Sequence, residues 1–318
     1  MNSNNNTKEI KFSIVICTYN REKFLPGLFD SILSQTLDKE LFEIVLINNN
    51  STDNTKNICL KFQKDNAQYN ILYFEEYNQG LSYARNRGIK ESSGTYITFA
   101  DDDALLTPIF SLEACNYLDK HQDVGELGGP IKLKFLGQIP KWYNPWMASL
   151  LGYFVPSREE YFMTTKNKRY PRGSNMTFRN SVFKKCGDFN IKLGRVGRIP
   201  VGGEEKDLAF RIIDAGLKIV YSPKVLVLHL VPEERTTMNF IKNQAFGTGK
   251  SEKVRSLNNN TYSKRIFSEG IKWAATIVLW FKYMIILKPV IANTLVKFRF
   301  WVTMGLLQNN NNNNNNSK

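Results

Sequence analysis

Three consecutive carboxylates, Asp101, Asp102 and Asp103, close the run Thr95-Tyr96-Ile97-Thr98-Phe99-Ala100. Residues 96–99 are apolar and β-branched enough for a buried strand, so the acids emerge together at a strand end. Like charges there repel one another, and a cation is their natural partner. Hard oxygen donors select Mg2+ or Mn2+, ions that usually bring phosphates with them. A solvated acidic turn capping a helix near Thr107 is the plainer alternative. A second acidic group lies in Gly202-Gly203-Glu204-Glu205-Lys206-Asp207, where three acids fall within four residues behind two glycines. Acids in a first helical turn complement the helix dipole, and glycine lets the backbone approach a ligand closely. His229, one of two histidines, follows an apolar run and precedes Glu233-Glu234-Arg235. A lone His after a strand is ordinarily structural; its charged neighbours add weight to a functional role.

Hydropathy supplies the elements that must position these groups. Runs at 12–17, 42–47, 71–74 and 96–99 read as strands. Segments 23–34, 81–90, 108–120 and one ending near 65 read as helices, the last with Asp53 as its N-cap. Such alternation predicts a parallel sheet with right-handed crossovers and ligands at the carboxyl ends of the strands. Each strand ends in polar residues, at 18–21, 48–53, 78–80 and 101–103. Their convergence makes the acidic triplet part of a pocket. No GxGxxG or P-loop occurs, which argues against dinucleotide and Walker-type cradles. Beyond residue 103 the alternation fades. Residues 140–153 gather Trp142, Tyr143, Trp146 and Tyr153, which read equally as a sugar-stacking surface or as core. A helix from 204 presents Leu208, Ile212 and Ala215, and strands follow at 219–221 and 225–228.

With 318 residues and 42% hydrophobic content, the chain can build one large core or two domains. Four separated cysteines without CxxC spacing imply reduced thiols and no zinc site. Residues 1–7 are Asn-rich with no apolar stretch, so no secretory signal is expected. The Asn run 309–316 should be disordered. The net charge of +14 is uneven: residues 241–307 hold eleven Lys or Arg against only Glu252 and Glu269. Nucleic acid or an anionic membrane could answer that charge, but no zinc finger or aromatic RNA-binding signature is present, so no nucleic acid is expected.

Taken together, Cys17-Thr18-Tyr19-Asn20-Arg21, Asn48-Asn49-Asn50-Ser51-Thr52-Asp53, Asn78-Gln79-Gly80 with Ala84-Arg85-Asn86-Arg87-Gly88, Phe99-Ala100-Asp101-Asp102-Asp103, Gly203-Glu204-Glu205-Lys206-Asp207-Leu208 and His229 resemble family 2 glycosyltransferases over roughly residues 12–238. The resemblance implies an α/β GT-A fold, a Rossmann-like mostly parallel sheet flanked by helices, here with a C-terminal helical extension. It implies inverting transfer of a sugar from a nucleotide-diphosphate donor, a UDP-sugar first among them, to an acceptor hydroxyl in polysaccharide or lipid-linked glycan assembly. Thr18, Asn20, Arg21, Asn48 and Asp53 would line the nucleotide pocket. Arg85 would face ribose or diphosphate, Asp101 would contact ribose, and Asp102 would belong to the donor site. Asp103 and His229 would hold Mn2+ or Mg2+, Glu205 or its rival Glu204 would be the general base, and Arg235 would assist. Asn48 stands where the family usually has Asp, and Glu205 where Asp is commoner.

Other readings stay open: a non-catalytic sugar-nucleotide-binding or assembly protein at the membrane, and a nucleotidyltransferase. The expected organisation is a disordered 1–10, a glycosyltransferase domain 11–240, a basic aromatic extension 241–307 and a disordered 308–318. In that extension, Lys282, Lys288, Lys297 and Arg299 break the apolar run short of the roughly 20 residues of a spanning helix. Pro289 should divide it into two helices. An interfacial pair at an anionic inner leaflet is expected, giving a cytoplasmic, peripheral location; a packed helical cap or a dimer contact is the alternative.

Overall fold

In the computed structural model, which describes residues 9–166, 169–196, 202–258 and 260–308, the alternating pattern closes into a sheet. Its strands are β1 (Phe12–Thr18), β2 (Phe42–Asn48), β3 (Asn70–Glu75), β4 (Tyr96–Asp101), β5 (Ala104–Leu106), β6 (Val124–Gly128), β7 (Ile131–Phe135), β8 (Tyr161–Met163), β9 (Met176–Arg179), β10 (Lys218–Tyr221) and β11 (Val227–Val231). The helices are α1 (Leu25–Leu33), α2 (Thr55–Asp65), α3 (Leu81–Glu91), α4 (Phe110–Lys120), α5 (Ser181–Cys186), α6 (Glu204–Asp214), α7 (Met238–Asn258), α8 (Tyr262–Ile285) and α9 (Pro289–Leu307). The expected N- and C-terminal disorder falls almost wholly on residues 1–8 and 309–318, which lie outside the described residues.

The eight-stranded sheet has the order β3-β2-β1-β4-β9-β6-β10-β8, and β5-β11-β7 form a smaller sheet. β1 to β4 are mutually parallel, as are β6 and β10, while β9 runs antiparallel between β4 and β6. β1 shows why its run is almost wholly apolar. Phe12, Ile14 and Ile16 feed a core that includes residues of α1, α2 and α4, while Val15 feeds a second core with residues of α3, α5 and α6. A sheet covered on both faces has no polar side to alternate. Register sets the functional edge, because Thr18 pairs with Asn48 and Cys17 with Asp101. Three polar loops therefore leave the sheet at one level.

The chain folds as two compact units. The first comprises the described residues up to Lys134 with Tyr153–Leu230; the second comprises Phe135–Gly152 with the described residues from Val231 onward. In the second unit α9 packs on both α7 and α8. Buried Glu269 fastens α8 to α9, accepting from Arg265 at 2.9 Å and from Arg299 and Thr303 at 3.1 Å. Pro289 does separate the two helices. By length and composition α9 is apolar enough to cross a bilayer, although Lys297 and Arg299 interrupt its sequence; 39% of its apolar window is buried within the protein. Trp142 of the aromatic segment is core here, donating from Nε1 to the Thr236 carbonyl at 2.8 Å, whereas Trp146 is exposed.

Candidate active site

The loops after β1 and β2 are tied by asparagines. Asn20 and Asn50 adopt positive φ of 54° and 62°, a region Asn tolerates better than most residues. Asn20 Oδ1 accepts from the Thr52 amide at 2.7 Å, and its own amide donates to Ser51 Oγ at 3.1 Å. Asn48 is buried, donating to Tyr73 OH at 3.0 Å and accepting from the Ser51 amide at 3.1 Å. Asp53 accepts from the amides of Thr55 and Glu22 at 3.0 and 3.2 Å. Both its oxygens thus pin the β1 loop to the start of α2, whose N-cap is Asn54 rather than the expected Asp53, and although burial opposes them these bonds hold its carboxyl below the usual range.

Arg21 links that loop to the acidic triplet. Its Nε meets Asp102 Oδ1 at 3.1 Å and its Nη2 meets Asp103 Oδ2 at 3.3 Å, while Thr18 Oγ1 donates to Asp102 at 3.3 Å. Burial pushes Asp102 up to about 8 in spite of Arg21. Asp103 is itself buried, and its Oδ1 lies 3.4 Å from His229 Nε2. The smaller sheet makes that meeting, since His229 pairs with Ala104 and the Leu230 amide bonds the Asp103 carbonyl at 2.8 Å. The triplet thus runs straight into β5 rather than into a helix-capping turn.

Arg85 of α3 is the hub on the other side. It is 1% exposed, with its guanidinium over the rings of Phe189 and Phe99. It reaches Glu204 at 2.9 Å, Glu205 at 3.5 Å and Asp101 at 3.9 Å. Its polar partners are thus three carboxylates. α6 delivers Glu204 and Glu205 because Gly203, at φ 111°, turns the chain in a region closed to most side chains. Burial pushes Glu205 up to about 7; Arg85 pulls it down, and Glu204 and Asp101 push it up. A Cβ on Gly173 would collide with Glu205 Oε1 and Arg85 Nη2, so the 171–175 loop forms one wall of this pocket.

One residue here escapes sequence reasoning. Glu126 of β6 is 1% exposed and its Oε2 has no hydrogen-bond partner. Burial first, and the Glu205 charge second, raise it well above the ordinary carboxyl range. In sequence it sits within Val124-Gly125-Glu126-Leu127-Gly128, with no local motif to mark it. Arg235 lies in the 3-10 turn Glu233–Thr236 of the second unit.

Acid outnumbers base in this cluster. Asp101, Asp102, Asp103, Glu204 and Glu205 are bridged by the guanidiniums of Arg21 and Arg85. Among the described residues no three His, Cys, Asp or Glu side chains converge as a metal cluster. The Asp103–His229 pair, one carboxylate and one imidazole at 3.4 Å, offers one oxygen and one nitrogen donor of the kinds that divalent ions accept.

A mostly parallel sheet whose loops bring acids and arginines together at its carboxyl edge defines a GT-A glycosyltransferase fold. A family model described as glycosyl transferase family 2 matches residues 13–187, and the chain belongs to that family. It is 25% identical over 253 residues to a glucosyl-dolichyl phosphate glucuronosyltransferase of Haloferax volcanii, with 78% of each chain covered. Among solved structures, a mannosyltransferase from Pyrobaculum calidifontis in complex with GDP-Man and Mn2+ matches 95% of this chain and 88% of its own, at TM-score 0.59 and 16% identity. Residues 1–349 of S. aureus TarS in complex with UDP-GlcNAc match 70% of this chain at TM-score 0.52 and 21% identity, and the chain spans 59% of that structure. The fold and the glycosyltransferase class thus agree with the expectation drawn from the motifs.

Proposed function

We propose that this chain is an inverting glycosyltransferase in which Glu205 is the general base. The acceptor oxygen attacks the anomeric carbon of a nucleotide-diphosphate sugar as Glu205 takes its proton. The bond from that carbon to the β-phosphate oxygen breaks on the opposite face, and the nucleoside diphosphate departs. The observation that carries this assignment is the division of labour around Arg85. Glu204 holds the guanidinium at 2.9 Å, while Glu205 stands off at 3.5 Å with its carboxyl near pH 7. That is where a general base works best, contributing roughly 10²–10⁴-fold.

Thr18, Asn20, Arg21 and Asn48 are assigned to the nucleotide side, with Asp53 bracing their loop; Asp101 and Asp102 are assigned to the donor. Asp103 and His229 are assigned to Mn2+ or Mg2+, which when bound supplies Lewis-acid stabilisation of the leaving diphosphate. The relatives' ligands support a nucleotide-sugar donor without choosing between UDP and GDP. Polysaccharide or lipid-linked glycan assembly is the proposed setting. The exposed apolar residues and cations of α8 and α9 support peripheral attachment at the cytoplasmic face of an anionic membrane. The test of the base is Glu205→Gln, which should abolish transfer while donor binding persists; a variant keeping more than about a tenth of the rate overturns the assignment.

A further inference from the structure

Between α7 and α8 lies a pocket of about 230 Å3, well removed in sequence from every catalytic carboxylate. Three cations line it, Arg255, Lys264 and Arg265, against the single lining carboxylate of Glu252, and the hydroxyl residues Ser256, Thr261 and Ser268 complete the wall. Glu252 is shared, accepting from Arg255 at 2.7 Å and from Arg265 at 3.1 Å, and Arg265 also donates to Glu269 at 2.9 Å. Lys264 makes no hydrogen bond or ion pair among the described residues. Thr261 and Ser256 donate their hydroxyls to the Ser256 and Lys253 carbonyls, so the pocket's excess positive charge centres on Lys264 beside the Ser268 hydroxyl, a combination that suits phosphate oxygens.

The same helix continues from this pocket as an exposed apolar stripe. Phe267, Ile271, Val278, Phe281 and Ile285 are each more than half exposed. Their spacing of three, four and seven residues keeps them on one face, beside Lys264 and Ser268 at its start. From Phe267 to Ile285 the stripe runs about 27 Å at 1.5 Å per residue. Isolated exposed apolar residues need no explanation, but a continuous stripe of this length does.

We propose that α7 and α8 form a binding site for a phosphorylated lipid, the headgroup phosphate in the Arg255–Lys264–Arg265 pocket and the hydrocarbon along the α8 stripe. Charge complementarity selects this occupant: an anionic head and an apolar chain on one molecule match a cationic pocket and an apolar stripe on one helix. The inference rests on the reading that the second unit meets a membrane, and it narrows that reading from diffuse attraction to one defined headgroup site.

Co-sedimentation of the full chain with phosphatidylcholine vesicles containing phosphatidic acid tests it. Arg255→Gln with Lys264→Gln removes two pocket cations that are largely exposed. Lys282→Gln with Lys288→Gln removes the same charge beside the far end of the stripe. The pocket pair should bind at least about tenfold more weakly than the control pair, the effect of losing charge-assisted bonds to phosphate. Val278→Ser with Phe281→Ser should also weaken vesicle binding while leaving the pocket intact. Equal losses in the two charge pairs would overturn the site yet leave membrane attachment standing. A native chain that ignores the vesicles would overturn both. If free glycerol phosphate displaces the chain as well as vesicles retain it, the lipid assignment fails. Metal-dependent donor hydrolysis should not change in any of these variants, so a fault in the catalytic reading would register separately.

Discussion

Glu204→Gln separates the two neighbouring acids of α6 more sharply than deleting the base. In the native protein Arg85 gives its shorter contact, 2.9 Å, to Glu204 and its longer one, 3.5 Å, to Glu205. Neutralising Glu204 frees the guanidinium to close on Glu205. Contracting 3.5 to 2.9 Å adds about 1 kcal/mol of attraction at an effective dielectric near 20, or about 0.7 of a pH unit. Removing the Glu204 charge acts in the same direction, because that charge holds Glu205 up. A base works only when deprotonated, so the native rate should fall as pH drops through about 7. In Glu204→Gln that limb should move to about 6, with the plateau within about threefold of native. The assay is kcat/KM for sugar transfer between about pH 5 and 9, with buffers matched for ionic strength. In Glu205→Gln the limb should vanish and the plateau should fall by at least about 10². The reasoning is refuted if Glu204→Gln shifts the limb to higher pH. It is refuted equally if Glu204→Gln abolishes transfer while Glu205→Gln retains it.

Gly173→Ala should cost little stability, because the new methyl meets only the movable ends of Glu205 and Arg85. It should still lower kcat/KM by about 10², the effect of displacing a base by about 1 Å; a variant with native kinetics would remove that wall from the site. Chelation with EDTA should stop transfer, and Asp103→Asn should raise the Mn2+ concentration for half-activation by about 10–100-fold, read from metal titrations of donor turnover. Glu126 carries a folded-state pKa raised above its unfolded value. The native state then holds a proton that the unfolded chain loses, so stability falls as pH rises above the ordinary carboxyl range. Glu126→Met and Glu126→Gln should both flatten the fall in denaturation midpoint between about pH 5 and 8; an unchanged slope in either variant would place the proton elsewhere.

The strands and the two acidic motifs were legible because each is local. The β-branched run ahead of Asp101 and the glycine pair ahead of Glu204 declare themselves within a few residues. Antiparallel β9 was not legible as a member of the sheet, nor was β8, three residues long at its edge. Short antiparallel insertions are fixed by distant partners rather than by their own sequence. Arg85 could be placed near the site from sequence, but its partners could not. Its contacts with Glu204 and Glu205 span 119 and 120 residues. Glu126 was invisible for the same reason: β6 finds its place between β9 and β10, and the Glu205 charge that acts on it comes from the distant α6.

These long-range contacts carry the chemistry. A buried arginine facing one carboxylate would hold that group ionised far below neutrality and leave a poor base. Arg85 instead shares its charge among Asp101, Glu204 and Glu205. Burial can then lift the most distant α6 acid toward neutrality without expelling its charge. The αL turn at Gly203 is what sets two successive acids at unequal distances from one guanidinium. Asp at position 205 would be one methylene shorter and would stand further from Arg85 on this backbone. With less of the guanidinium's pull, its carboxyl would be raised more by burial. Glu205→Asp should therefore keep an active base whose acid limb lies at higher pH than in the native enzyme, and a limb displaced to lower pH would mean that the α6 backbone, not side-chain reach, sets the distance.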